Sequence, residues 1–245
     1  MLPILTADDG PPDDPHGDNT LRDVLALSAP SAARPYLPAR CLTRLTADQE
    51  LPLVPSFIFD AAGTAPLLMH NARLVDPLDT IVRQIRPISA KAKKTDDDHA
   101  EIAQLEWLGG LYHDPDVGPF IPAPNLTKCL VEGARLSRDG KKVERGVLIE
   151  TMKVPVLYEG PRDPAALYAD TRHVHRAPVK VGNARVMRTR PVFPRWRLQA
   201  RGVYDPAVIN LADLRNAAHT AGALIGLGDG RPTYGRFVGT LDGTD

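Results

Sequence analysis

The sequence contains little of what would assign a protein to a functional class at once. Only two of its 245 residues are cysteines, Cys41 and Cys129. Two cysteines are too few for a zinc site and indicate free thiols in a reducing compartment. No apolar run approaches the roughly 18 residues that span a membrane. We therefore expect no metal centre, no cofactor and no membrane partner.

The overall balance of charge is also uninformative. Lysine plus arginine and aspartate plus glutamate number 30 each, so the formal net charge is zero. The total charge gives no argument for a polyanionic partner, and any such argument depends on where the charges lie.

Sequence patterns that carry catalysis are absent as well. There is no Gly-x-Ser-x-Gly motif, no pair of histidines four residues apart and no cysteine–histidine arrangement. Two carboxylate clusters stand beside histidines and could bind a divalent cation: Asp114 and Asp116 next to His113, and 96–98 next to His99. Such clusters are also common in turns and at helix starts. We expect a protein without catalytic activity, with a metal-dependent nuclease that uses Asp114 and Asp116 as a distant alternative.

One absence is informative. From Thr171 to Tyr204 there is no acidic residue in 34 positions, although this acid-free stretch holds nine cations. These cations are Arg172, Arg176, Lys180, Arg185, Arg188, Arg190, Arg195, Arg197 and Arg201. Like charges repel one another on a folded surface unless an anion meets them, and arginine suits bidentate contacts with phosphate. The pattern favours a nucleic acid or another polyanion, and the alternative is pairing with acids elsewhere in the chain. Phe193, Trp196 and Tyr204 could stack on bases, although Trp196 is in phase with the core-facing residues of its strand.

The chain divides into an acidic beginning and one α+β domain. Residues 1–20 carry five aspartates, no lysine or arginine, and several prolines and glycines. This composition predicts a flexible arm and is the reverse of a secretory signal. Residues 21–245 predict a single α+β domain, with a sheet core from 55–75 and 143–245 and a helical insertion at 76–140.

Periodicity and capping residues predict the individual elements. Strands are expected at 56–60 and 67–75, and a long strand or hairpin at 143–158. Helices are expected at 20–27, 76–85, 96–108 and 125–136. Thr95 and Asn125 are the expected N-caps of the last two helices, and Gly109-Gly110 is the expected end of the first of them.

The C-terminal third has the most regular pattern. Arg195–Val203 alternates apolar with basic residues, which predicts a half-buried strand with a basic outer face. Asn210 caps a helix with a 3.6-residue apolar period, and a final strand runs to Leu241. A glycine-rich segment, Gly226–Gly235, separates the two and is called the glycine loop below. A strand, a helix, a loop and a strand are half of a ferredoxin-like sandwich, so we predict a ferredoxin-like βαβ core with peripheral helices.

The glycine loop follows a helix instead of preceding one, so it is neither a P-loop nor a dinucleotide-binding fingerprint. Two interpretations stay open. Gly226 or Gly228 could end the helix and permit a turn. Alternatively, bare backbone amides beside Arg231, Tyr234 and Arg236 could contact a phosphate and a base.

Two resemblances rest on these residues. The strand, helix, glycine loop and closing strand over Arg195–Leu241 resemble the RAMP proteins that form the RNA-binding backbone of CRISPR effector complexes. The whole chain is similar to proteins of tailed phages and prophages, in Leu68–Asn71, Lys93–Asp96, Leu105–Tyr112, Met187–Pro191 and Gly226–Phe237. The first resemblance implies an RRM-like or RAMP-like fold that binds along a single strand with its loop and basic strand faces. The second implies a phage origin and no particular activity.

Together these observations predict a non-catalytic protein that binds single-stranded RNA or DNA in the cytoplasm, or in the host cytoplasm if a phage encodes it. The expected contacts are Arg185, Arg188, Arg190, Arg197, Arg201, Arg231, Tyr234 and Arg236, with Gly226 and Gly228 in the loop. Secondary contacts are Lys91, Lys93, Lys94 and His70. The main alternative is a phage structural or assembly protein, a homo-oligomer in which the basic band pairs with the acidic arm of a neighbouring subunit.

Overall fold

Strands and helices alternate irregularly along the chain. A computed structural model describes residues 54–182 and 184–244. The strands are β1 (Ser56–Gly63), β2 (Leu67–Leu68), β3 (His113–Asp114), β4 (Gly118–Pro122), β5 (Val147–Ile149), β6 (Lys153–Pro155), β7 (Val174–Val181), β8 (Ala184–Phe193), β9 (Arg197–Tyr204) and β10 (Phe237–Thr244). The helices are α1 (Thr80–Ser89), α2 (Asp96–Gly110), α3 (Ala123–Arg135), α4 (Gly140–Gly146), α5 (Pro164–Ala169) and α6 (Leu211–Thr220). Short 3-10 segments lie at Ala72–Val75 and Thr171–His173, and a π-helical turn at Ala221–Ile225 extends α6.

The main sheet has the order β10-β1-β9-β5, and each neighbouring pair is antiparallel. In sequence, α3 lies between β1 and β5, and α6 lies between β9 and β10. This is the order and direction expected of a β-α-β-β-α-β unit, here with long insertions after β1 and after β5. The predicted α+β class is confirmed. The ferredoxin-like identity of the core stays a prediction, with which this strand order is consistent.

Alternation along the strands produces one buried face of the main sheet. Phe57 and Phe59 of β1 and Leu198 of β9 are at most 1% exposed, while their sequence neighbours face outward. Helices α3 and α6 cover this face with buried residues such as Leu126 and Leu214. Burying a large apolar side chain contributes about 1.5–3 kcal/mol, so this layer contributes substantially to stability.

The two covering helices touch at a glycine. A Cβ atom at Gly133 of α3 would lie 2.6 Å from the carbonyl oxygen of Ala217 and 2.7 Å from the amide nitrogen of Ala221. Both of these are backbone atoms, which a rotamer change cannot move away. A hydrogen at this position is therefore what lets α3 and α6 approach so closely.

Two smaller sheets lie outside the main one. One has the order β2-β8-β7 and contains the long β7–β8 hairpin; the other has the order β3-β4-β6. The predicted helical insertion at 76–140 therefore contains two strands, and its last helix, α3, belongs to the layer on the main sheet. No helix in residues 54–182 or 184–244 is long and apolar enough to cross a membrane.

Local capping rules predicted some boundaries well. Thr95 is the N-cap of α2 and forms a capping box with Asp98, as expected of a threonine before three acids. Asn210 caps α6 by accepting the amide hydrogen of Asp213 at 2.8 Å. The alternating strand at 195–203 corresponds to β9, and the closing strand to β10.

Other predicted elements differ from the structure in their type or their bounds. Only Leu67–Leu68 of the predicted strand 67–75 is a strand, and a 3-10 segment follows. The helix predicted at 76–85 is α1, which begins after the Asp79 cap. The region 143–158 is no long strand, because α4 occupies its beginning and the two short strands β5 and β6 the rest.

Two helix ends also differ from the prediction. Helix α3 begins at Ala123 with Pro122 as N-cap, two residues before the predicted start, because prolines at its first positions favour helix initiation. Helix α2 includes Gly109 and Gly110 instead of stopping before them, because both are buried against neighbouring segments. The helix predicted at 20–27 and the arm at 1–20 lie outside the described residues.

We expect Gly133→Val to lower the free energy of unfolding by about 1–3 kcal/mol, the usual cost of overpacking. Urea unfolding followed by circular dichroism measures this. Gly243→Val is the matched control, because only the end of the Leu211 side chain lies near its Cβ position, at 3.1 Å. An equal loss in both variants would contradict the close helix contact.

Candidate nucleic-acid interface

The β7–β8 hairpin holds five of the nine cations of the acid-free stretch. Its two strands pair along their whole length, with Lys180 opposite Arg185 and Arg176 opposite Thr189. Residues directly opposite in an antiparallel pair lie on the same face. Arg176, Lys180 and Arg185 therefore share one face of the hairpin, and all three are exposed. We call these three residues the cationic face.

Apolar surface lies between these charges. Pro178 pairs with Met187 on the same face, and both side chains are exposed, Met187 by 46%. The cationic face thus combines positive charge with a patch that can contact an apolar group. An exposed methionine suits variable contacts because its side chain is flexible and polarizable.

The opposite face of the hairpin is built differently. His175 lies opposite Arg190 and Ala177 opposite Arg188, so both arginines project to the side away from the cationic face. The Arg190 side chain is only 17% exposed. This face is turned toward other parts of the fold, and its charges are met there by acids.

Five of the nine cations in the acid-free stretch have an acidic partner from outside it. The pairs are Arg172–Asp170, Arg188–Glu106, Arg190–Asp229, Arg195–Glu159 and Arg201–Glu150. Within the described ranges, Arg197 and the three residues of the cationic face form no ion pair. The internal-pairing alternative therefore holds for part of the stretch, and the cations without an acid concentrate on one face of the hairpin.

A buried carboxylate attaches the hairpin to the rest of the fold. The side chain of Glu106, in α2, is 6% exposed. One of its oxygens accepts from the Arg188 guanidinium, and the other accepts from the backbone N–H of Thr189 at 3.0 Å. Because both oxygens are engaged on adjacent residues of β8, Glu106 fixes the base of the hairpin and the direction of the Arg188 side chain.

The glycine loop meets the hairpin at a second buried polar junction. The Nε atom of Arg190 lies 3.1 Å from an Asp229 oxygen, and the Tyr234 hydroxyl lies 3.0 Å from Nε2 of His175. The Arg190 and Asp229 atoms are close but poorly aligned for a hydrogen bond, and the Nδ1 atom of His175 is buried without a hydrogen-bond partner among the described residues. The junction places positive and titratable groups from two distant segments together.

Two histidines near this junction resist protonation. Burial lowers the pKa of His175, and the Arg190 guanidinium lowers it further, while Asp229 opposes this. Partial desolvation also lowers the pKa of His70, part of which stays exposed, with Arg190 and Arg188 acting in the same direction and Asp229 and Glu106 against them. Both imidazoles are therefore mainly neutral at pH 7 and able to accept or donate a hydrogen bond.

Gly226 and Gly228 allow backbone conformations and a close approach that other residues would not. Gly226 and Gly228 have φ angles of 81° and 80°, which favour glycine, and a Cβ at Gly228 would lie 2.4 Å from the carbonyl oxygen of Leu68. The amides of Leu227 and Asp229 donate to backbone carbonyls at 2.8 and 2.7 Å. The amides of Leu227 and Asp229 are therefore engaged within the fold. The Gly226 amide donates to the Ala221 carbonyl at 2.8 Å, which supports the helix-stop interpretation for Gly226.

The other predicted contact residues, in the glycine loop and on the main sheet, do not form a single positive surface. Arg231 pairs with Glu132 at 2.9 Å, and Arg201 pairs with Glu150 at 3.1 Å. Arg197 and Arg236 are exposed. The outer face of the main sheet also carries acids such as Asp60, which accepts from Gln199, so its charge is mixed. It is a weaker site for an anion than the hairpin.

The predicted lysine cluster belongs to the start of α2. Lys91 pairs with Asp98 at 2.5 Å, and Lys94 donates to the backbone carbonyl of Lys91 at 2.9 Å. Lys93 is exposed. In the part of the chain that the structure describes, none of the three forms a hydrogen bond or an ion pair with the hairpin.

The carboxylates of the nuclease alternative are used locally. Asp114 accepts from the Lys153 ammonium group and from the amides of Val117 and Asp116. The Lys153 contact and these amides lower the pKa of Asp114 to about 2. Such a carboxylate holds a turn and a salt bridge. Over residues 54–182 and 184–244, no group of three or more His, Cys, Asp and Glu side chains is placed to hold a metal ion.

Two of the aromatic residues proposed to stack on bases are in the core. Phe193 is 0% and Trp196 3% exposed, and the Trp196 indole N–H donates to the carbonyl of Ala65 at 2.9 Å. Tyr204 is half-buried against Phe57. Stacking by Phe193 and Trp196 was therefore a wrong prediction.

Cys129 is a buried free thiol, and its burial raises the pKa of the thiol to about 12.

A cleft of about 500 Å³ is lined by α1 and by residues from both faces of the β7–β8 hairpin. Its lining residues are His70, Leu74, Val75, Val82, Ile85, Arg86, Ser89, Glu106, Val179, Lys180, Arg188, Thr189 and Arg190. We call it the hairpin cleft. A smaller cavity of about 200 Å³ shares His70 with it and reaches Arg231 and Gly228 of the glycine loop. The structure thus brings together His70, Arg188 and Arg190 around one cleft.

Sequence reasoning missed the hairpin and the α1 side of the cleft, although signals for both exist. Gly182-Asn183 between two valine-containing segments is a two-residue hairpin signal. On α1, Val82, Ile85, Arg86 and Ser89 are spaced i, i+3, i+4, i+7 and so share one helix face.

Comparison with known proteins adds no identity. No family model matches the chain, and no curated protein matches it. The resemblances to RAMP and phage proteins stay predictions, and the function is argued from the geometry of the hairpin and its cleft.

We expect Glu106→Ala to destabilise the fold by about 1–3 kcal/mol, because it leaves the Thr189 amide and the Arg188 guanidinium without their acceptor. Glu106→Gln should lose less, because the amide oxygen still accepts one hydrogen bond. Urea unfolding measures both. Glu101→Ala, at an exposed position of the same helix, should stay within about 0.5 kcal/mol of wild type.

Acidification should destabilise the protein through His70 and His175. A histidine in the unfolded chain has a pKa of about 6.5, and burial lowers the pKa of both in the fold. Their contribution to stability is present above the unfolded value and is lost as the pH falls through the folded value. Urea midpoints at pH values of about 7.5 and 5.5 should differ less in His70→Gln/His175→Gln than in wild type. An unchanged difference in the double variant would refute this assignment.

Proposed function

We propose that this protein binds single-stranded nucleic acid without catalysing a reaction on it, and that the β7–β8 hairpin is its main contact. The observation that carries the proposal is the cationic face: three exposed cations on one side of a hairpin, with no carboxylate paired to them among the described residues. A phosphate backbone supplies the negative charge that this face does not receive from the fold.

The cost of assembling these charges supports a ligand. Like charges directly opposite each other in a sheet are destabilising, and Lys180 lies directly opposite Arg185. The chain nevertheless pairs other cations of the same stretch with acids. An anionic strand along the hairpin would relieve the repulsion and release counterions from the strand.

A single strand suits this surface better than a duplex. Pro178 and Met187 are exposed between the cations and offer apolar contact to flat groups. Only unpaired bases present their faces to such a patch, whereas a duplex presents phosphates and base edges. Arg176 and Arg185 add planar guanidinium groups that bind phosphate through two hydrogen bonds.

The salt dependence of oligonucleotide binding tests the cationic face. For single strands, the slope of log affinity against log salt is about −0.7 per phosphate contact. Removing three contacts in R176Q/K180Q/R185Q should therefore reduce the magnitude of the slope by about 2. Fluorescence anisotropy with a labelled single-stranded oligonucleotide across a salt series gives both slopes.

A control with equal loss of charge separates contacts from net charge. R172Q/R195Q/R201Q also removes three cations, but each of these arginines is paired with an acid in the fold. Its slope should stay near that of wild type. Equal changes in the two triple variants, or no binding by wild type at low salt, would refute the proposed interface.

The assembly alternative gives a different result in sedimentation. If the acidic residues 1–20 of a neighbouring subunit cover the cationic face, both deletion of 1–20 and R176Q/K180Q/R185Q should convert a defined oligomer into monomers. If the face binds nucleic acid, neither change alters the mass of the particle, and only the triple variant loses affinity for the oligonucleotide.

A further inference from the structure

Apolar side chains from two parts of the fold line the hairpin cleft. One wall is the α1 side, with Val82, Ile85 and the 80% exposed Val75. Val179 of β7 lies on the other. Because apolar groups left in contact with water are unfavourable, these walls suit an inserted flat or apolar group.

The rim of the cleft has an excess of positive charge. Arg86, Lys180, Arg188 and Arg190 line it, together with the mainly neutral His70. Glu106 is the one acidic residue in its lining, and both of its oxygens are engaged by β8. A ligand that complements the cleft is therefore apolar and flat at one end and anionic at the other.

The positions of two rim arginines are fixed in advance. Glu106 holds the Arg188 guanidinium, and Asp229 lies beside Arg190. Side chains that are held before the ligand arrives lose less conformational entropy on binding. The volume of about 500 Å³ also falls within the roughly 300–1,000 Å³ of small-molecule sites.

We propose that the hairpin cleft holds one nucleotide of the bound strand, with its base between the walls formed by Val75, Val82 and Val179 and its phosphate against Arg86 and Arg188. This inference rests on the proposed function. It adds that one unstacked base enters the cleft, whereas the cationic face contacts phosphates and the neighbouring Pro178–Met187 patch contacts bases only at the surface. The cleft thereby gives the interface a preference for base-bearing strands.

Helix α1 offers a matched pair of arginines for the test. Arg86 lies on the helix face that lines the cleft, whereas Arg83, three residues earlier, is exposed and is not among the lining residues. We expect Arg86→Ala to weaken binding of a short mixed-sequence single-stranded oligonucleotide about tenfold, as the loss of a hydrogen bond to a charged group does. Arg83→Ala should bind as wild type does.

The apolar wall has a matched pair as well. Val75→Glu places a carboxylate where the base would insert, and Val238→Glu makes the same change on the outer face of the main sheet, where the valine is 57% exposed. The probe is an oligonucleotide compared with its abasic counterpart, which has the same phosphates. Wild type should prefer the base-bearing strand about tenfold, the order of one base contact. Val75→Glu should reduce this preference to what the Pro178–Met187 patch alone supplies, and Val238→Glu should retain it in full.

The two proposals fail in different ways. If wild type binds both strands equally and with a steep salt dependence, or if Arg83→Ala matches Arg86→Ala, the cleft proposal is overturned and the cationic face stands as a phosphate contact. If wild type binds neither strand, the proposed function fails, and the cleft proposal fails with it. Binding of adenosine monophosphate in the absence of binding to either strand would overturn both and identify a site for free nucleotides. Equal thermal midpoints of the four variants exclude unfolding as the cause.

Discussion

The hairpin depends on one buried carboxylate. Glu106 of α2 accepts from the Arg188 guanidinium and from the Thr189 amide, and the next residue, Trp107, donates its indole N–H to the carbonyl of His173 at 2.8 Å. His173 directly precedes β7, so two consecutive residues of one helix hold both strands at their base. An isolated two-stranded hairpin is marginally stable at best in water. The cationic face and the wall of the hairpin cleft therefore both exist because α2 supports the hairpin from below.

The two-residue period of a strand gives the hairpin two unlike faces from one sequence. Arg176, Lys180 and Arg185 fall on one face, and Arg188 and Arg190 fall on the other. The inner arginines meet Glu106 and Asp229 and become fixed parts of a cleft, whereas the outer cations meet no acid within residues 54–182 and 184–244. Shifting the strand pairing by one residue would exchange these roles, so the Glu106 contacts to adjacent residues of β8 also fix the register.

Local features could be predicted from the sequence, but features that depend on contacts between residues far apart in the chain could not. The Thr95 and Asn210 caps and the alternation of β9 follow from rules that act within a few residues, and all three are confirmed. Helix α4 was missed because Gly140 and Val143 are buried by tertiary packing, which local propensity does not register. Arg188 was identified as a candidate contact, but Glu106 stands 82 positions earlier in the chain. No spacing rule joins residues so far apart, so the sequence could name the cations but not which of them were already neutralised.

Whether a cation of the acid-free stretch is already paired with an acid decides how much it can contribute to binding a phosphate. An exposed arginine that is already paired exchanges a carboxylate for a phosphate when a strand arrives, so its net gain is small. A cation without an acid contributes the full release of a counterion. On that basis, we expect any binding to follow the three cations of the cationic face more closely than the nine of the whole stretch. With so few unpaired cations among residues 54–182 and 184–244, we expect only moderate affinity for a backbone. Discrimination between strands then has to come from a site that contacts something other than phosphate, and the hairpin cleft, with its apolar walls beside prepositioned arginines, is placed to supply it.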